Sequence, residues 1–92
     1  MKLNPAYKLN VVAGENMLIN TGERTVNVST VFSLNEPAAW LWTKIGSRDF
    51  TEKMLVDWLC EEYEVTPEVA GPDVATMVLL WKEYGMVLPE NE

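Results

Sequence analysis

The chain has 92 residues, 48% of them hydrophobic, and its 7 Lys and Arg against 14 Asp and Glu leave a formal charge of −7. That length suits one domain, residues 1–92, whose core needs no staple, while the acidic balance disfavours non-specific nucleic-acid binding and adsorption to anionic membranes, both of which rely on Lys and Arg. With no His and the single Cys60, it lacks the commonest general base and transition-metal ligand and has no set for a structural zinc site or an internal disulfide.

The first predicted elements are strands. Tyr7, Leu9, Val11 and Ala13 alternate with Lys8, Asn10 and Val12, the period-two pattern of a strand. Gly14-Glu15-Asn16 reads as a turn, Met17-Leu18-Ile19 as a short second strand and Thr21-Gly22-Glu23 as the next turn. Val26, Val28, Thr30 and Phe32 then alternate with Asn27, Ser29 and Val31 in a third strand. Short turns join antiparallel neighbours, so the three form a meander. Its third strand is an edge unless something else pairs with it.

Helical signals follow. Asn35 is a good N-cap, and Pro37 is tolerated in a first turn. Ala38, Leu41, Trp42 and Ile45 then make one apolar face, and Gly46 is placed to stop the helix. After a loop over 47–50, Thr51 caps a second helix reaching about Tyr63, with Leu55, Val56, Leu59, Cys60 and Tyr63 on its inner face. Thr66 caps a segment opened by Pro67 and Glu68. Gly71-Pro72 interrupts it, because Pro72 has no N–H and clashes with the preceding turn. Either a kink or a fresh helix start is expected there, and Asp73 can cap such a restart. Val74, Met77, Val78 and Trp81 carry the last helix to Gly85, and Met86-Val87-Leu88 return to the core.

The layout is an α+β fold with a winged-helix-like order: a small antiparallel sheet, then three helices. Its words resemble those of the PqqD family, peptide-binding modules also called RiPP recognition elements. They are Phe32-Ser33-Leu34-Asn35-Glu36 with Ala38, Ala39 and Trp42; Thr51 with Leu55, Leu59 and Glu62-Tyr63-Glu64-Val65; and Pro67, Asp73-Val74, Met77-Val78, Trp81 and Gly85-Met86-Val87. The resemblance spans residues 7–87. Gly71-Pro72, Met77 and Trp81 depart from it, standing where ordinary helix formers and Leu or Phe are more usual. It implies a non-catalytic chaperone that holds the leader segment of a ribosomally made precursor peptide. The leader is presented to a modifying enzyme, often a radical-SAM protein, as in pyrroloquinoline quinone biosynthesis. By the resemblance the leader adds as a strand along Val26, Asn27, Val28, Ser29, Thr30 and Val31. Its helix wall is drawn from Asp73, Thr76, Met77, Leu80, Trp81 and Tyr84.

The residues carry a physical counterpart to that reading. A sheet edge offers unpaired N–H and C=O groups, which a peptide strand can satisfy. Residues 26–32 suit this, being rich in β-branched side chains with no Pro or Gly. The alternative is an ordinary protected edge. The last helix also has more apolar residues than one face needs. Either Leu79 and Leu80 widen a fully packed stripe, or Leu80 joins Met77 and Tyr84 in a wall against a peptide. Trp40, Met54 and Trp58 lie off the main faces, as a second patch or as cover for the core edge. Cys60 reads as a small core hydrophobe. Asp57, Glu61, Glu62, Glu64, Glu68 and Asp73 are a solvated acidic face or a means of steering a basic partner.

No enzyme, cofactor or metal is expected from this inventory, which also lacks any phosphate-binding glycine pattern. There is no apolar run of membrane-spanning length and no signal-peptide core at the start, so a cytosolic protein is the simplest reading. Two other classes remain. A DNA-binding winged helix needs cations on its recognition helix, where 73–84 offers only Lys82. A structural module would form a homodimer, for instance by swapping its N-terminal sheet.

Overall fold

A computed structural model describes residues 1–20 and 31–88. Three strands, β1 (Tyr7–Val12), β2 (Glu15–Asn20) and β3 (Val31–Leu34), precede three helices, α1 (Glu36–Ile45), α2 (Glu52–Tyr63) and α3 (Pro67–Glu83). The sheet is antiparallel in the order β1-β2-β3. Leu9 faces Leu18 across the first pair, and Leu18 faces Phe32 across the second. The expected α+β meander and three helices are therefore present. The turn predicted at residues 21–23 and the strand positions Val26, Asn27, Val28, Ser29 and Thr30 lie outside the described residues.

The first turn falls one residue earlier than its glycine signal implied. Val12 pairs with Glu15, leaving Ala13 and Gly14 as a two-residue loop with φ of 52° and 82°. Positive φ at both positions matches the right-handed twist of the flanking strands, so the hairpin closes tightly and Glu15 and Asn16 join β2. The alternation of β1 decides burial only near its start. Tyr7 is buried and Leu9 half-buried, but Val11 is 68% exposed. Near the hairpin tip no described residue covers that face of the sheet.

Local chemistry sets the helix ends. The Asn35 side chain accepts from the Ala38 N–H at 2.9 Å, and Thr51 Oγ1 accepts from the Met54 N–H at 3.2 Å. Gly46, with φ of 60°, ends α1 and donates its N–H to the Trp42 carbonyl. Replacing Asn35 by Ala leaves one first-turn amide without this acceptor. The expected cost is about 1 kcal/mol of stability, read as a lower urea midpoint with an unchanged slope.

At Gly71-Pro72 the fresh start, one of the two expected outcomes, does not occur in α3. α3 runs as one helix from Pro67 through Pro72 to Glu83. Asp73 is therefore interior and caps nothing. Pro67 and Thr66 set the helix entry, although Thr66 makes no side-chain cap bond. Pro72 removes one rung, the bond its N–H would have given the Glu68 carbonyl. The buried stripe Ala70, Val74, Val78 and Trp81 spans both sides of the proline and holds the helix together across the gap.

The core joins Leu18 of the sheet to Leu41, Trp42 and Ile45 of α1, Leu55 and Leu59 of α2, the α3 stripe, and Phe50 from the α1–α2 loop. Two inner-face assignments do not hold. Tyr63 is 38% exposed, and Leu88 turns outward while Met86 and Val87 are buried. Cys60, Trp40, Met54 and Trp58 are partly buried against the core. The N-terminal segment closes the structure. Leu3 bridges Val87, the Asn4 N–H donates to the Met86 carbonyl at 2.8 Å, and the Phe50 N–H donates to the Met1 carbonyl at 2.8 Å.

Candidate functional site

A groove of about 740 Å³ lies between β3 and α3. It exists because α3 has two adjacent apolar stripes. Ala70, Val74, Val78 and Trp81 are buried in the core. The flank beside them, Asp73, Met77, Leu80 and Tyr84, advances by three or four residues per step and so stays on one side of the helix. That flank faces the sheet edge across the groove.

All six helix positions expected from the sequence line this groove, but they do not play one role. Asp73, Thr76, Leu80 and Tyr84 are exposed and Met77 is half-buried, so these form the wall. Trp81 is only 3% exposed. Its ring packs edge-on against Trp42 at 5.1 Å, making it floor and core rather than wall. Leu80, one residue earlier, is 46% exposed. Leu79, at 65%, points away and is not part of the lining. The wide-stripe alternative for Leu79 and Leu80 is thus excluded, since neither is packed inside.

On the sheet side the lining comes from Phe32, Ser33 and Leu34. Of the six strand residues expected there, only Val31 falls in the described β3, where it pairs with Ile19. Among the described residues β3 pairs with β2 alone, so no described strand covers its other edge, whose backbone groups a peptide strand can satisfy. Phe32 was expected at the end of the strand, but Ser33 and Leu34 were visible only as family words, because alternation gives a strand without telling which part of it meets a helix.

The two ends of the groove differ. At one, the Phe32 and Tyr84 rings meet at 4.8 Å, and the Tyr7 hydroxyl donates to the Tyr84 carbonyl at 2.9 Å, tying β1, β3 and the end of α3 together. At the other, Pro37, Tyr63, Val65 and Val69 surround an opening that sequence reasoning missed. The exposure of Tyr63 and Val69, apolar bodies off their helices' buried faces, is the signal that marks it. From Val69 to Tyr84 the helix advances about 22 Å, room for about six or seven extended residues. Asp73 is the one charged side chain in the lining among the described residues. No group of His, Cys, Asp or Glu among those residues could hold a metal, and no described helix is long and apolar enough to cross a membrane.

Residues 4–87 match the family model described as Coenzyme PQQ synthesis protein D (PqqD). No curated protein and no solved structure shows a significant match to the chain.

Proposed function

The chain belongs to the PqqD family, and from that premise we propose that it is a non-catalytic peptide chaperone. It binds the leader segment of a ribosomally made precursor peptide and presents it to a modifying enzyme of the radical-SAM class. The family's description connects it to synthesis of coenzyme PQQ, and the proposal sets this chain in that synthesis or in a related peptide pathway, working in the cytosol. The carrying observation is the juxtaposition of the outer β3 edge with the exposed apolar wall of α3 around Leu80.

That pairing supports strand addition. Backbone groups of the peptide satisfy those of β3, whatever the peptide's sequence. Alternate side chains then turn toward α3, where Met77, Leu80 and Tyr84 select apolar partners and Asp73 adds one charge. Met77 repacks readily around different side chains. The strand site continues from Val31 into Val26, Asn27, Val28, Ser29 and Thr30 in this reading. The charge pattern argues against the DNA-binding alternative: α3 carries Lys82 against Glu68, Asp73 and Glu83.

A displayed library of random peptides, selected on the immobilised protein, tests the reading. Enriched peptides should share an alternating apolar segment. Binding of one of them should slow amide hydrogen exchange at 32–34 while leaving β1 unchanged. Protection confined to other elements would sink strand addition at β3.

A further inference from the structure

Beyond the open end of the groove lies a shelf that the proposed function does not use. Tyr63, in the lining, meets Trp40 edge-on with ring centroids 5.8 Å apart. Lys44 places its ammonium 5.5 Å from the centre of the Trp40 ring and 5.1 Å from that of Trp58. Arg48 brings its guanidinium 5.7 Å from the Trp58 ring. Two cations are thus held over two indoles on the joint surface of α1 and α2, continuous with the groove through Tyr63.

The formal charge is −7, with Asp and Glu twice as numerous as Lys and Arg. Yet neither Lys44 nor Arg48 pairs with a carboxylate among the described residues, whereas Lys53 is paired with Asp57 at 3.1 Å. The rings fix the position of both cations while leaving their hydrogen-bond donors free for a ligand. Glu61, Glu62 and Glu64 flank Tyr63 in the sequence, so an incoming carboxylate is repelled at the groove mouth and attracted farther along α1.

We propose that this shelf binds an acidic segment of the same peptide that occupies the groove, with its carboxylates on Lys44 and Arg48. The inference rests on the groove being a peptide site. Lys44 lies one helical turn from Trp40, about 6 Å along the axis, and Arg48 follows in the turn after α1 ends at Ile45. An acidic residue for Lys44 therefore falls about two positions past the residue that reaches Tyr63, at about 3.3 Å per extended residue, and one for Arg48 lies beyond it. Such a contact fixes the register of a strand whose backbone bonds alone do not distinguish one register from the next.

The library-selected peptides and calorimetry provide the test. Selected peptides should carry Asp or Glu at that spacing beyond the alternating segment. Changing those residues to Asn or Gln should weaken binding about threefold to tenfold at low salt, an effect that fades near about 1 M salt. The doubly substituted protein, Lys44→Glu with Arg48→Glu, should show the same loss. It should regain affinity for a peptide whose acidic residues are replaced by Lys, a rescue that a purely structural role for the cations cannot produce. Circular dichroism verifies that the variant folds. If the enriched peptides share only the alternating segment, or the charge-reversed protein binds them unchanged, the shelf proposal is overturned and the groove reading stands. If nothing is enriched, both fall. A native dimer that the double variant converts to monomer would instead assign the shelf to a second copy and overturn the proposal.

Discussion

Trp81→Ala is expected to destabilise the protein by about 3–5 kcal/mol, the usual cost of emptying a buried Trp site. Trp81 is 3% exposed and its edge-to-face contact with Trp42 joins α3 to α1. Such pairs add about 0.5–1.5 kcal/mol beyond the area they bury. A chain of this size has about 5–14 kcal/mol of total stability, so one substitution removes a large share of it. Thermal unfolding should move down by more than about 12 °C. Any loss of peptide binding should follow the unfolded fraction, returning when the measurement is made well below the new midpoint. A variant with unchanged melting but abolished binding would show that Trp81 is a contact residue and not floor.

Leu80→Asp should behave in the opposite way. Leu80 is 46% exposed and lines the groove, so an Asp there loses little packing and leaves no buried charge in the free protein. In the complex the same carboxylate would face apolar peptide side chains. Losing the burial of one Leu is worth about 1.5–3 kcal/mol, which alone weakens binding roughly tenfold to a hundredfold. Repulsion from Asp73, two turns earlier on the same flank, works in the same direction. Calorimetry with a selected peptide, next to an unchanged melting curve, makes the measurement. Equal affinity for both proteins would remove α3 from the binding surface.

The contrast between these neighbours marks where sequence reading stops. Asn35 and Thr51 were legible as caps, because a cap is made within four residues and depends on little else. The stripe of α1 was legible for a similar reason: Ala38, Leu41, Trp42 and Ile45 share one face, and all are buried. The fresh start allowed for at Pro72 did not occur, because the cost of a proline inside a helix is local. The buried stripe on either side of it, packed against α2 and the core, outweighs one missing rung. Val11 shows another limit: its alternation gives the observed strand but not whether that face is covered, and it is 68% exposed. The site divides similarly. Its α3 residues from Asp73 on and Phe32 were expected, whereas Ser33, Leu34, Tyr63 and Val69 entered through packing between elements far apart in the chain.

By itself the sequence determined the order of strands and helices, the N-caps of α1 and α2, the buried face of α1 and the absence of catalytic His or paired Cys. These follow from periodicity and side-chain chemistry acting over a few residues. Only the tertiary structure decided that the edge of β3 and the outer flank of α3 stand across a groove from one another, and that Leu80 is wall while Trp81 is floor. It also joined the Asn4 side chain to the Gly85 carbonyl at 3.0 Å and stacked Lys44 on Trp40 and Trp58. Periodicity defines a face but not its neighbour. Which face meets which is settled by burying the most apolar surface in one close-packed core, a property of the whole chain.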